Sequence, residues 1–227
     1  MAKWALFDGK TMVSQGAASS REDGLALPEA DRGLMCASGD TSVWEDALSS
    51  VRFPLTTLGV DMPLPIRLDY KTPATLGCDR VAAACGAWGL HPGQPSLIID
   101  AGTCITVDYL DAEGVYHGGA IMPGLNMSLR ALGTFTAKLP LVSIDGVDTA
   151  RVLGRSTEEC IVAGTLGATM LALAGFVAVY REKSPALHVL LTGGDAGRLT
   201  RSGAAGWEVA PALTLIGLNE ILNHDEE

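Results

Sequence analysis

Short apolar runs alternate with turn-forming residues from the first positions of the chain. Residues 3–7 and 11–15 read as two strands joined through Asp8-Gly9-Lys10, because Asp-Gly between apolar runs is a strong hairpin signal. A polar stretch over 19–33 predicts a surface loop or short helix, 34–37 a returning strand, and 41–50 a helix capped by Thr41 or Asp40. Pro63 and Pro65 interrupt the pattern before an extended segment at 66–70, and a corner over 72–79 leads into an Ala-rich helix over 80–88. After the loop His91-Pro92-Gly93-Gln94-Pro95, the run Leu97-Ile98-Ile99 has the continuous apolar character of a buried strand. Strands are expected again at 104–110 and 115–121, around a turn at 111–114. The remainder predicts a long helix from Thr157, a strand at 187–191, a short helix after Asp195, a strand near 207–209 and a final helix from Leu213, ending in acidic residues 225–227 expected to fray. Strands alternating with helices indicate an α/β fold, and the loop near Pro92 divides it into 1–92 and 93–227.

The second half reads strand, Asp-x-Gly-Thr turn, strand, turn, strand, helix, and the first half enters the same figure partway through. Two lobes that repeat one figure, with a nucleotide between their turns, describe the actin-like ATPase arrangement. The 227 residues, 48% of them hydrophobic, suffice for one large core or two modest ones without disulfide support.

A net charge of −10 excludes a phosphate-backbone binder, which needs clustered Lys and Arg, and 5% aromatic content leaves little for stacking bases; no nucleic-acid partner is expected. Cys36, Cys78, Cys85, Cys104 and Cys160 show no metal or redox spacing, nor do His91, His117, His188 and His224. The thiols are therefore expected to be small buried residues of a reducing, cytoplasmic setting. The N-terminus has no signal-peptide pattern. Residues 161–180 carry no charge and approach the length of a membrane span, but Gly164, Gly167 and Gly175 and the polar start at 156–159 favour a helix buried between lobes or subunits.

Three passages carry chemistry. Asp100 ends a buried strand and is followed by Ala101-Gly102-Thr103, which places a carboxylate beside a tight turn whose amides and Thr103 hydroxyl suit a phosphate or cation. Gly77-Cys78-Asp79-Arg80 enters a helix; Asp79 is either an N-cap or a general base for a substrate alcohol, and Arg80 either a carboxylate clamp or a surface ion-pair partner. Thr192-Gly193-Gly194-Asp195 follows an apolar strand and permits close approach of a nucleoside, or forms a plain strand-to-helix turn. The corner Gly118 to Leu125 either lines a cleft or allows close packing.

With these motifs, in this order, the chain resembles the type III pantothenate kinases, also called the Bvg accessory factor family. The similar segments are 3–7, Tyr70 with 77–80, 100–103 with Thr106, 118–125, 154–164, 192–194 and 215–218. The resemblance implies an actin-like (ribonuclease H-like) two-lobed α/β fold, a cytoplasmic homodimer, and ATP-dependent phosphorylation of pantothenate at the start of coenzyme A synthesis. Asp79 would accept the proton. Tyr70, Gly77, Cys78, Asp79, Arg80 and Thr157 would hold pantothenate; Lys3, Thr103, Gly193 and Gly194 would contact ATP; Asp100 would hold a monovalent cation, K+ or NH4+, with Mg2+ accompanying the nucleotide. The family's opening strand and Asp-x-Gly-Asn-Thr turn have no counterpart ahead of Lys3, and the expected consequence is impaired turnover. The competing expectations are a non-catalytic binding homologue and an actin-like phosphotransferase acting on another alcohol.

Overall fold

The opening alternation folds as the expected hairpin. Strand β1 (Ala2–Asp8) pairs antiparallel with β2 (Thr11–Ala18), with a bulge between Leu6 and Phe7. Gly9 makes the turn at φ +56°, a conformation that a side chain would strain. Trp4 stands opposite Gly16, and its indole occupies the space that a Cβ on Gly16 would need, within 2.6 Å. The computed structural model describes residues 1–20, 22–147, 150–204 and 206–224, so the acidic 225–227 end lies outside the described residues.

Strand β3 (Gly33–Met35) pairs in parallel with β4 (Leu55–Thr57), which the sequence pattern does not reveal because three residues are too few to show a period. Between them, a 3-10 turn over Ser42–Trp44 leads into α1 (Glu45–Ser49). The Asp40 carboxylate accepts from the Ser42 N–H at 2.9 Å, whereas the Thr41 side chain caps nothing. After the short β5 (Arg67–Leu68), helix α2 (Cys78–Leu90) runs two residues beyond its expected span at each end and buries Arg80 through Ala87.

From Gly93 to Pro211 the chain forms a compact unit of its own. Strands β6 (Ser96–Ala101), β7 (Cys104–Leu110) and β8 (Val115–Pro123) make an antiparallel meander. Helix α3 (Leu125–Phe135) follows directly, capped by Gly124 and burying Leu125 and Leu129; the sequence reading located only a small-residue corner there. Helix α4 (Thr157–Val162) starts where expected, its Glu159 N–H bonded to the Ser156 hydroxyl at 3.2 Å and its Glu159 carboxylate accepting from the Arg155 N–H. It continues through a π turn (Ala163–Gly167) into α5 (Ala168–Lys183). At that turn a Cβ on Gly167 would fall 2.1 Å from the Arg151 carbonyl, so the preceding segment lies flat against the helix. Strand β9 (His188–Thr192), α6 (Ala196–Arg201) and β10 (Glu208–Val209) complete the unit, and its strands lie in the order β10-β9-β6-β7-β8, with β9 parallel to β6 and β10 parallel to β9. One sheet face, including Leu97, Ile99, Ile105, Val107 and Leu191, buries against Leu129, Leu166, Leu173 and Leu199, each side chain stabilising by about 1.5–3 kcal/mol relative to exposure.

Helix α7 (Leu213–His224) then packs along α2. A Cβ on Gly217 would sit 1.7 Å from the Ala82 carbonyl, and one on Gly86 2.3 Å from the Leu213 carbonyl, so two glycines bring the helix backbones together. Segment 212–224, grouped with the second half on sequence grounds, thereby joins the unit formed by Met1–Pro92.

The continuous helix Thr157–Lys183 is long and apolar enough to cross a membrane, yet half of its most apolar window is buried inside the protein. The cysteines depart from expectation. Only Cys85 is buried; Cys36 and Cys78 are half-buried, and Cys104 and Cys160 are exposed, because the last two fall at a strand end and on an outward helix face.

Candidate functional site

Two groups of the expected site residues take shape, one in each unit. In the Gly93–Pro211 unit, β6 and β9 run parallel, so the turns after their carboxyl ends emerge side by side. The Asp195 N–H donates to the Ala101 carbonyl at 2.9 Å, joining these turns. Gly193, at φ +92°, lies so close that a Cβ would meet the Ala101 carbonyl at 2.4 Å and the Asp100 carboxylate at 2.5 Å. A third corner closes on the same point: the Gly124 N–H donates to the Thr103 carbonyl at 3.0 Å, and a Cβ on Gly124 would meet the Gly102 and Thr103 carbonyls at 2.3 and 2.4 Å. Asp100, Thr103 and Gly193 are thus brought together, with Gly194 exposed in the same turn.

Register joins Thr192 to the Asp100 and Thr106 that the motif already grouped. Asp100 pairs with Thr106 on β7 and with Thr192 on β9, and paired positions share a sheet face. A carboxylate and two hydroxyls therefore line the end of one face, a hard-oxygen donor set that fits an alkali or alkaline-earth cation. Asp195 opens α6, and burial raises its carboxyl pKa against the lowering effect of Arg198. The Arg198 guanidinium lies 3.9 Å from Asp195, donates to the Ile144 carbonyl, and so fastens the 144–147 segment to this corner.

The second group surrounds the start of α2. Gly77 is the N-cap, so Cys78 and Asp79 occupy the first turn, where the helix dipole favours an anion. The Asp79 carboxylate accepts from the Arg80 N–H at 2.9 Å and crowds Gly77, at which a Cβ would fall 2.5 Å from it. Arg80 is buried, its guanidinium carbon 6.0 Å from the centre of the Tyr70 ring, a cation–π distance. Tyr70, Gly77, Cys78, Asp79 and Arg80 are therefore contiguous in space as well as in motif.

Two expected residues belong to neither group by hydrogen bond or ion pair among the described residues. Lys3 is exposed on β1 opposite Ala17, and Thr157 is exposed as the first residue of α4.

A mixed α/β unit with glycine corners gathered at the carboxyl ends of parallel strands is of the ligand-binding α/β class, in which such crevices receive the ligand. In fold the chain is similar to the crystal structure of a conserved Baf family protein from Campylobacter jejuni, with a TM-score of 0.54 at 20% identity over 75% of this chain and 73% of that one. The chain belongs to the type III pantothenate kinase family, whose model matches residues 34–179. Among curated relatives of that name, the Phocaeicola vulgatus protein is 41% identical over 180 residues, 79% of this chain and 74% of its own. That of Cytophaga hutchinsonii is 43% identical over 71% of this chain and 68% of its own, and that of Azobacteroides pseudotrichonymphae is 35% identical over 99% and 93%.

Proposed function

We propose that this chain transfers the γ-phosphoryl group of ATP to the primary hydroxyl of pantothenate, giving 4′-phosphopantothenate and ADP at the entry to coenzyme A biosynthesis. Membership of the kinase family carries the reading. The two residue groups supply its chemistry. Asp79 accepts the proton of the attacking hydroxyl, and the buried Arg80, backed by Tyr70, presents a cation to the pantothenate carboxylate, with Gly77, Cys78 and Thr157 completing that site. Gly193 and Gly194 let the nucleotide approach the backbone, Thr103 adds a hydroxyl donor, and Lys3 a positive charge. Asp100, with Thr106 and Thr192, offers the oxygens for a monovalent cation, K+ or NH4+. Mg2+ bound with ATP supplies neutralisation of the charge that develops on the phosphoryl oxygens.

On this reading the fold is of the actin-like (ribonuclease H-like) type, divided near Pro92. A homodimer is supported by an open apolar concavity of about 390 Å³ on the α4–α5 helix, where Leu153 and Leu171 are 73% and 62% exposed. A cytoplasmic location fits five cysteines that form no disulfide.

The test is a coupled ADP-release assay with pantothenate, checked by mass spectrometry of the product. Turnover that falls by about a hundredfold to ten-thousandfold in Asp79→Asn, with ATP binding retained, is the expected result. ATP and pantothenate binding without turnover would favour a non-catalytic homologue, and activity confined to another alcohol would replace pantothenate as substrate. Full turnover in Asp79→Asn would remove this residue from the proton-accepting role.

A further inference from the structure

Asp195 stands at the end of the β9 turn, directly after the exposed Gly194. Its backbone is fully committed: the N–H donates to the Ala101 carbonyl at 2.9 Å, and the carbonyl accepts from the Leu199 N–H at 3.0 Å. Its carboxylate is not. Among the described residues that carboxylate accepts no hydrogen bond and caps none of the N–H groups of α6, while 18% of the side chain stays exposed, enough for a ligand to reach it.

The nearest cation is held back from it. Arg198 is anchored at the far end of its guanidinium, where Nη1 donates to the Ile144 carbonyl and, at 3.4 Å, to the Val147 carbonyl, and Nη2 reaches the Asp145 carboxylate at 3.4 Å. Its Nε stops 3.9 Å from Asp195 Oδ1, an ion-pair distance too long for a hydrogen bond. That Nε is buried and has no hydrogen-bond partner among the described residues. The charge of Asp195 is thus balanced while its acceptor capacity is left unused.

We infer that Asp195 is a specificity-determining residue of the nucleotide site, accepting a hydroxyl of the ribose, and that Arg198 is its positioning residue, an assignment that rests on the reading of the Gly193-Gly194 turn as the nucleotide contact.

The pair selects the kind of donor. A lone carboxylate would suit a metal ion equally well, but a permanently charged guanidinium 3.9 Å away repels a second cation and favours a neutral donor. On ATP the neutral donors are the ribose hydroxyls and the adenine amino group. Asp195 is bonded through its N–H to Ala101, the residue after Asp100, so it lies next to the corner assigned to the phosphates, and the sugar is the part of the nucleotide that follows them. Room is present as well, since a Cβ on Gly194 would meet nothing within 4 Å. Arginine is required at 198 because its planar fork reaches Ile144, Asp145 and Val147 with one edge while Nε faces Asp195; a lysine ammonium cannot serve both ends.

The experiment measures binding of ATP, 2′-deoxy-ATP and 3′-deoxy-ATP to the full chain by calorimetry, without pantothenate. A hydroxyl bonded to a charged acceptar should make at least one deoxynucleotide bind about ten- to a hundredfold more weakly than ATP. In Asp195→Ala that ratio should fall to about one, whereas a merely structural role would weaken all three nucleotides alike and leave the ratio standing. Arg198→Lys should lower the ratio, and adding it to Asp195→Ala should change the ratio no further, because Arg198 acts through Asp195. A ratio of one in the unaltered chain, which needs no variant to fold, would overturn the ribose contact, as would a full ratio in Asp195→Ala. An unchanged ratio in Arg198→Lys would remove the positioning role. A ribose preference without turnover on pantothenate would sustain Asp195 while the kinase reading fails, and a chain that binds none of the three nucleotides would overturn both.

Discussion

Gly193 and Gly194 are adjacent in sequence and indistinguishable by motif, yet the fold gives them different demands, and replacing each by alanine separates them. At Gly193 φ is +92°, so a side chain is strained there by about 1–2 kcal/mol. Its Cβ would also lie 2.4 Å from the Ala101 carbonyl and 2.5 Å from the Asp100 carboxylate. Restoring ordinary contact requires a shift of about 1 Å in a packed corner, at a further cost of about 1–3 kcal/mol. The sum, roughly 2–5 kcal/mol, corresponds to a drop in unfolding temperature of about 5–15 °C for a chain of this size. Because the group displaced is Asp100 or the joined turn, the KM for ATP should rise by at least tenfold and kcat fall by up to about a hundredfold. At Gly194 a Cβ would meet nothing within 4 Å, so Gly194→Ala should leave the unfolding temperature within about 2 °C. Thermal unfolding and ATP titrations in the kinase assay read both. Wild-type KM and stability in Gly193→Ala, or equal thermal damage in Gly194→Ala, would refute the close packing of the β9 turn on Asp100.

Gly217→Ala places a Cβ 1.7 Å from the Ala82 carbonyl and forces α7 off α2, so a loss of about 3 kcal/mol or more is expected in urea unfolding; a midpoint equal to wild type would contradict the backbone contact. The Asp111 carboxylate, 2.6 Å from the His117 ring, has its pKa lowered: burial would raise it, but His117 and the Val115 and Glu113 N–H groups outweigh that. Its stabilisation is therefore complete above the unfolded carboxylate pKa near 4 and lost as pH falls through the lower folded value. The pair is partly exposed, so Asp111→Asn should cost less than about 1 kcal/mol near pH 5 and progressively less on acidification, and a cost that grows as pH falls would reverse the sign. Leu171→Glu puts a charge in the α4–α5 concavity, and on the proposed homodimer sedimentation should show a dimer for the unaltered chain and a monomer for the variant; a variant that sediments like the unaltered chain would remove this face as the interface.

Local sequence sufficed where the signal is local. Asp8-Gly9 specifies its hairpin, Ser156 with Glu159 starts the long helix at Thr157, and the apolar run 97–99 lies in a strand that runs one residue past Asp100, to Ala101. The motif around Asp79 also reads as a helix start, because an acidic first turn and an Ala-rich run are consecutive, but the N-cap is Gly77 and not Asp79, and the helix opens two residues earlier than expected. Tertiary structure decided what depends on neighbours distant in sequence. Strand register puts Thr192 beside Asp100 and Thr106, and the chain gives no hint that the strand at 187–191 closes on this corner, since a slip of one residue would turn its hydroxyl to the other face. The return of α7 to α2 depends on two glycines 131 positions apart in sequence, Gly86 and Gly217, whose lack of side chains matters only once the backbones meet. Helix α3 went unread because its capping glycine resembles a loop, and only the burial of Leu125 and Leu129, which no local pattern encodes, holds that corner as a helix.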